Sequence, residues 1–414
     1  MKKQTLLLMF IVIFSFGSKT AFTQNEPWMP MFPMPTVRAL MAGSVVDGKI
    51  YVIGGISTLN RVMGTVEVYD PATDSWEKKK DMTYSRAALA IQNVDGIIYA
   101  IGGTTSAGGN SISIVEAYDP SSDSWTRKAD MLNNRMAFSA VLDGRIYIIG
   151  GGTNGSSMST KTEAYDPKTN TWTVKKDMPE SGGNIALVVK DSLIYSFGGG
   201  YSNVPAISTV LVYNPRTDTW TKKTDMPTPR MGAIACLVNG KIYVLGGTSS
   251  GGGPGLANVE VYDPEKDTWT KEGDMPIAKK YPVGAVVNEK IYVIGGVTGS
   301  TYLNSVEEYN PALDPTSLGG SNDVNPPSEY SLYQNYPNPF NPVTNIEFKV
   351  VDPGMVTLKV FDLLGNEVVT IINKDIEPGF YKYQWNASGN ASGIYLYRIK
   401  AGNYIETRKM ILLK

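Results

Sequence analysis

The chain has 414 residues, 42% of them apolar, and 38 basic residues stand against 39 acidic ones for a formal net charge of -1. That length holds about two or three ordinary domains, or one large closed repeat with a small companion, and the even charge leaves no electrostatic footprint for a nucleic-acid partner. The absence of histidine and a single cysteine, Cys236, exclude intramolecular disulfides, Cys/His metal clusters and every Ser-His or Cys-His dyad, so no catalytic residue, metal ligand or cofactor is assigned.

Residues 1–24 open with Lys2 and Lys3, run through an apolar stretch from Thr5 to Phe16 and reach small residues before Gln24. This is the layout of a signal peptide, with an apolar core too short to span a bilayer comfortably. No later stretch is long and apolar enough to cross a membrane, so no integral membrane segment is expected after signal cleavage. Beyond the leader, 42 glycines, 24 tyrosines and abundant Val, Ile and Thr favour strands over helices. The chain is expected to be all-β.

From residue 25 to 311 the sequence repeats itself. A Gly-Gly doublet follows an apolar strand at Gly54-Gly55, Gly102-Gly103, Gly150-Gly151, Gly198-Gly199, Gly246-Gly247 and Gly295-Gly296, in steps of 48, 48, 48, 48 and 49 residues. A Tyr-Asp/Asn-Pro marker recurs at Tyr69, Tyr118, Tyr165, Tyr213, Tyr262 and Tyr309, with a tryptophan seven residues after the first five and a methionine six beyond each tryptophan. Each unit reads as four short strands, one of them running from about Arg86 to Asn93 in the second unit, with Asp-Pro turns between the third and fourth. The sixth unit lacks its tryptophan, whereas Trp28 and Met34 carry the same spacing near the start of the chain. A strand near Trp28 therefore completes the last unit and closes a ring of six blades. These markers resemble the kelch family, and the resemblance implies a six-bladed kelch-type β-propeller over 25–311.

Four residues after each methionine stand Arg38, Arg86, Arg135, Gly182, Arg230 and Lys279, placed at the start of the inner strands and near one mouth of the channel. In kelch proteins that this chain resembles, arginines here often line the ligand pocket. Arg38, Arg86, Arg135, Arg230 and Lys279 are therefore ligand-binding candidates for an anionic or polyhydroxyl ligand. Two residues before each repeated tyrosine stand Glu67, Glu116, Glu163, Leu211, Glu260 and Glu307, so the blade without a cation is also the blade without a glutamate. That co-occurrence predicts a cation–Glu pair inside each of the other blades, because losing one partner leaves an uncompensated buried charge. Blade four adds Asn184 and Tyr201, which suit a sugar or peptide subsite; local degeneration of the repeat accounts for the same residues.

Residues 312–330, rich in Pro, Gly, Ser and Asn, are expected to be a linker. Over 331–414, short alternating strands separated by Gly, Pro and Asn turns suggest a small immunoglobulin-like β-sandwich. Here Tyr336-Pro337-Asn338-Pro339-Phe340-Asn341-Pro342, Val360-Phe361-Asp362 with Gly365, Pro378-Gly379 with Tyr381, and Ser392-Gly393 with Tyr395 resemble the type A sorting domain of the type IX secretion system. The resemblance implies the secretion machinery as partner and a secreted or cell-surface product that travels through the periplasm. The propeller is expected to bind an extracellular carbohydrate or protein ligand. A sugar mutarotase, the activity of bacterial kelch proteins that this chain also resembles, is the alternative.

Overall fold

The computed structural model describes residues 27–106, 109–153, 157–201, 205–314, 330–335, 338 and 340–413. The signal-peptide expectation and nearly all of the linker expectation lie outside the described residues. Two compact units result, one beginning at Pro27 and one occupying 330–413, and each stands by itself below.

The first unit is a ring of six four-stranded antiparallel sheets. In blade one, Ala42–Val46 is innermost, followed by Lys49–Ile53, Val66–Asp70 and Ser75–Lys79 at the rim. The second strand is buried on both faces, which is why it reads as an unbroken apolar run, such as Ile50, Tyr51, Val52 and Ile53, instead of alternating. The core accordingly lies in the spaces between blades; Ile50, Val52 and Tyr69 of blade one, for example, pack on Val283, Tyr292 and Val306 of blade six.

Ring closure follows the expectation drawn from Trp28. Strand Trp28–Met31 pairs antiparallel with Val306–Tyr309, placing Trp28 opposite Tyr309 and Met31 opposite Val306, and becomes the outermost strand of blade six. The Trp28 and Tyr309 rings lie 4.5 Å apart, and Met34 is fully buried with its N–H donated to the Asn304 carbonyl.

Neighbouring blades are tied by a repeated contact five residues after each tyrosine. Asp74, Asp123, Asn170, Asp218, Asp267 and Asp314 each accept the tyrosine hydroxyl of their own blade, at 2.6 Å for Tyr118 and 2.8 Å for Tyr309. The same side chains accept a backbone N–H from the end of the preceding blade: Phe32, Lys80, Ala129, Lys176, Thr224 and Gly273. Asp and Asn suit the first five positions for a second reason, a left-handed backbone near φ +50°, which they tolerate best among non-glycine residues. Asp314 extends the ring three residues past the boundary expected at 311, into the segment assigned to the linker.

One expectation needs correcting: the inner strand of blade two begins at Ala90 and not at Arg86, which sits in the connection entering the blade. The glycine doublets stand between blades, where an added Cβ on Gly102, at φ +63°, would lie 2.6 Å from the Arg135 carbonyl of the next blade.

The second unit is a two-sheet sandwich with the order Ser331–Leu332, Val343–Val350, Gly379–Asn386 in one sheet and Glu367–Ile376, Gly354–Phe361, Gly393–Ala401, Tyr404–Leu412 in the other. Its core includes Phe340, Phe348, Leu358, Trp385, Tyr397 and Met410. Two residues of the Pro/Asn-rich stretch fix the last strand: Asn338 Oδ1 accepts the Ile411 N–H, while Phe340 exchanges backbone hydrogen bonds with Ile411 and Leu413.

Candidate functional site

Five cations expected at the channel mouth are instead interior. Arg38, Arg86 and Arg135 are fully buried, and Arg230 and Lys279 are 1% exposed. Each meets its blade's glutamate, as the co-occurrence argument requires: Arg86 to Glu116 at 2.6 Å, Arg135 to Glu163 at 3.0 Å, Arg230 to Glu260 at 2.8 Å, Lys279 to Glu307 at 2.5 Å, and Arg38 to Glu67. The side chains turn from the connection into the blade, where backbone carbonyls complete their shell; Arg86 reaches the Ile114 carbonyl and Arg230 those of Gly246 and Asn258. Burial pushes the Arg86 guanidinium down to about 10 although Glu116 pulls the other way, and burial lowers Lys279 likewise against Glu307. None of the five lines the axial cavity described next.

That cavity, about 230 Å³, occupies the axis where the inner strands begin and is lined by 40–43, 88–92, 137–139, 184–187, 232–235 and 281–284. Its rim is the residue two beyond each cation position: Leu40, Ala88, Ala137, Asn184, Gly232 and Tyr281. Backbone hydrogen bonds run from blade to blade along it, Ala88 N–H to Leu40, Ala137 to Ala88, Gly232 to Asn184 and Tyr281 to Gly232. To make these bonds while entering the strand, Leu40, Ala88, Asn184, Gly232 and Tyr281 adopt φ between +51° and +63°. For Leu, Ala and Tyr this left-handed conformation costs roughly 1 kcal/mol or more each, and such strain concentrates at functional sites.

The rim is chemically uneven. The Tyr281 ring lies across Gly232, where an added Cβ would approach its Cε1 to 2.3 Å, so glycine is needed both for the backbone and for the ring. Burial raises the Tyr281 hydroxyl pKa, with a further contribution from Tyr201. Asn184 donates to the Gly200 carbonyl at 3.2 Å, and Gln92 donates to the backbone and hydroxyl oxygens of Ser139 at 2.9 and 3.0 Å. Tyr201 stands half-buried outside the cavity lining, its ring 3.2 Å from where a Cβ on Gly152 of the adjacent blade would be. Of the candidates named from sequence, Asn184 alone lines the cavity. Tyr281, Gly232, Gln92 and Ser139 were missed, and the signal for the first two was a repeat position that varies between otherwise constant markers.

Among the described lining residues Tyr281 is the only side chain that titrates, and no carboxylate or cation lines the space. Cys236 is buried in the blade-five core, and burial pushes its thiol up to about 12, which leaves it chemically quiet.

Fold and site together define a closed six-bladed propeller with an uncharged axial cavity, accompanied by a separate β-sandwich. Kelch motif models match residues 38–83, 85–132 and 135–179, a KLHDC2/KLHL20/DRC7 Kelch-repeats domain matches 183–318, and a secretion system C-terminal sorting domain matches 334–413. The chain belongs to the kelch-repeat family and carries a type IX secretion-system sorting domain. It is marked for export to the cell surface or outside the cell. Among curated proteins it is 38% identical over 61 residues to the F-box/kelch-repeat protein SKIP30 of Arabidopsis thaliana. It is 46% identical over 52 residues to the F-box/kelch-repeat protein At5g03020 of the same plant. These stretches are 15% and 12% of this chain and span only 17% and 15% of those relatives. The solved structure of YjhT superposes with a TM-score of 0.60 at 17% identity, covering 67% of this chain and 95% of that one, which shows the shared fold.

Proposed function

We propose that the propeller is an extracellular binding protein whose axial cavity takes a neutral, polyhydroxyl ligand, a carbohydrate in the first instance. The observation that carries this is the uncharged lining, in which apolar backbone-rich walls meet a few amide, hydroxyl and aromatic groups. Such a surface suits a sugar, with C–H faces against Tyr281 and hydroxyls toward Asn184 and Ser139. An anionic ligand gains nothing from the arginines, which are spent on the blade glutamates. The mutarotase alternative needs an acid and a base at the sugar, and Tyr281 is the one titratable group among the described lining residues. Binding without conversion is therefore favoured.

A screen of neutral and acidic glycans is expected to return neutral hits. Asn184→Ala and Tyr281→Ala should each weaken a hit about ten-fold or more, worth roughly 1.4 kcal/mol. A preference for acidic sugars or peptides, or faster anomer exchange in NMR with protein present, would overturn this assignment.

Residues 1–24 serve, on the same proposal, as a signal peptide that delivers the chain to the periplasm, and the sandwich over 331–414 holds the address for the second membrane. Removing 331–414 is expected to leave a folded propeller retained in the periplasm. Cell fractionation checks it, and undiminished export would end the two-step route.

A further inference from the structure

Blade four departs from its sisters most at its cation position. Gly182 stands where the others carry a buried cation, and Leu211 where they carry its glutamate. The space is not wholly refilled. A cavity of about 10 Å³, room for one water-sized group, remains beneath the connection, and its lining includes Glu180, Gly182, Ser196, Gly198, Thr209 and Leu211. Gly182 apart, these are the counterparts of residues that surround the cation elsewhere. Gly198 corresponds to Gly246 and Thr209 to Asn258, whose carbonyls accept from Arg230.

Two further substitutions make the vacated seat polar. Ser196 is the one hydroxyl at a position held by Val52, Ala100, Ile148, Val244 and Val293 in the other blades. It is 2% exposed and pairs across the sheet with Leu211, so its side chain shares the face that carries the glutamates; among the described residues its hydroxyl has no hydrogen-bond partner. Glu180 occupies the position from which Thr36, Asn133 and Thr228 donate to their blade glutamates, and its carboxylate accepts from the Thr209 hydroxyl at 3.3 Å. The negative charge has thus moved from the buried strand to the solvent-facing edge of the cavity.

Blade six shows what this chemistry holds. There the Lys279 ammonium donates to the hydroxyl of Ser305, the counterpart of Thr209, at 3.0 Å and to a carboxylate at 2.5 Å. The geometry points to the blade-four cavity as a seat for an ammonium group supplied from outside the chain, either a small free amine or the lysine end of a bound peptide. An ammonium is water-sized, needs only oxygen acceptors, and finds hydroxyls, backbone carbonyls and one carboxylate here.

The test is thermal denaturation of the full chain in ammonium chloride, methylammonium chloride and Nα-acetyl-lysine amide, against sodium and potassium chloride at equal ionic strength. The expected result is a saturable rise in melting temperature with the ammonium salts beyond the metal chlorides, since a ligand bound to the folded state alone stabilises it. A response to ammonium alone assigns the free ion as the source; a response that extends to acetyl-lysine amide assigns a peptide lysine. Gly182→Lys should abolish the response by filling the seat from within; the nearest atoms to a Cβ at 182 are side-chain atoms of Ile185 and Met178, at 3.1 to 3.3 Å. Should that variant not fold, exposed Glu180→Gln carries the test, with apparent affinity expected to fall ten-fold or more. No rise beyond the metal chlorides, an equal rise with potassium, or a response unchanged in either variant would overturn the assignment.

Discussion

Deleting residues 25–31 from the chain is expected to unfold the ring or lower its melting temperature by more than about 10 °C, the largest effect any short deletion should have. The segment supplies the outer strand of blade six, the Trp28 ring on Tyr309 and the Pro27 carbonyl that accepts from Asn310. It also leads into Phe32, whose backbone bonds Asp74 and the Trp76 indole of blade one. Losing the half-buried Trp28 costs part of the about 3–5 kcal/mol that a fully buried tryptophan carries, and the deletion adds an unpaired edge along Val306–Tyr309. A synthetic peptide spanning 25–37, added in trans, should restore part of the stability by strand addition. Calorimetry checks both, and a deletion variant melting within about 2 °C of the parent would show that the ring does not depend on this strand.

Arg86→Ala is expected to destabilise the propeller by about 3–5 kcal/mol, because it leaves the Glu116 carboxylate buried at 2% exposure without its partner. The double variant Arg86→Met/Glu116→Leu should recover most of that loss. Burial already lowers the Arg86 pKa in spite of the glutamate, so the pair does little better than offset its own desolvation. Blade four is the natural precedent, since it folds with Gly182 and Leu211 in the two places. Chemical denaturation of the two singles and the double measures the coupling; strictly additive losses would mean that the pair is not the unit.

The architecture was legible because a closed repeat leaves phase-locked marks. Paired glycines, tyrosine and tryptophan each sit where one backbone or packing requirement recurs, and Trp28 betrays the missing strand by the same spacing. The cation–glutamate pairs were legible through their joint loss in blade four. The direction of those cations was not, since adjacency to an inner strand says nothing about whether a long side chain turns to the axis or into the blade. The rim of the cavity was hidden for the opposite reason: its shared property is a backbone angle, and Leu40, Ala88, Asn184 and Tyr281 have no side-chain chemistry in common. Asp314 was overlooked although Tyr309 plus five predicts it, because the proline-rich text around it looks like the start of a linker.

The six Tyr–Asp/Asn contacts form a cycle, each blade holding the end of the one before it, with Asp74 gripping Phe32 and Asp314 gripping Gly273. A linear array of repeats has two ends, and its terminal units fray first and need polar caps. A cycle has neither. Local opening of any blade must break contacts on both sides at once, and cooperativity is set by the whole circuit and not by nearest neighbours alone. The sequence differences between blades, above all in blade four, can then be tolerated as ligand chemistry without creating a weak end.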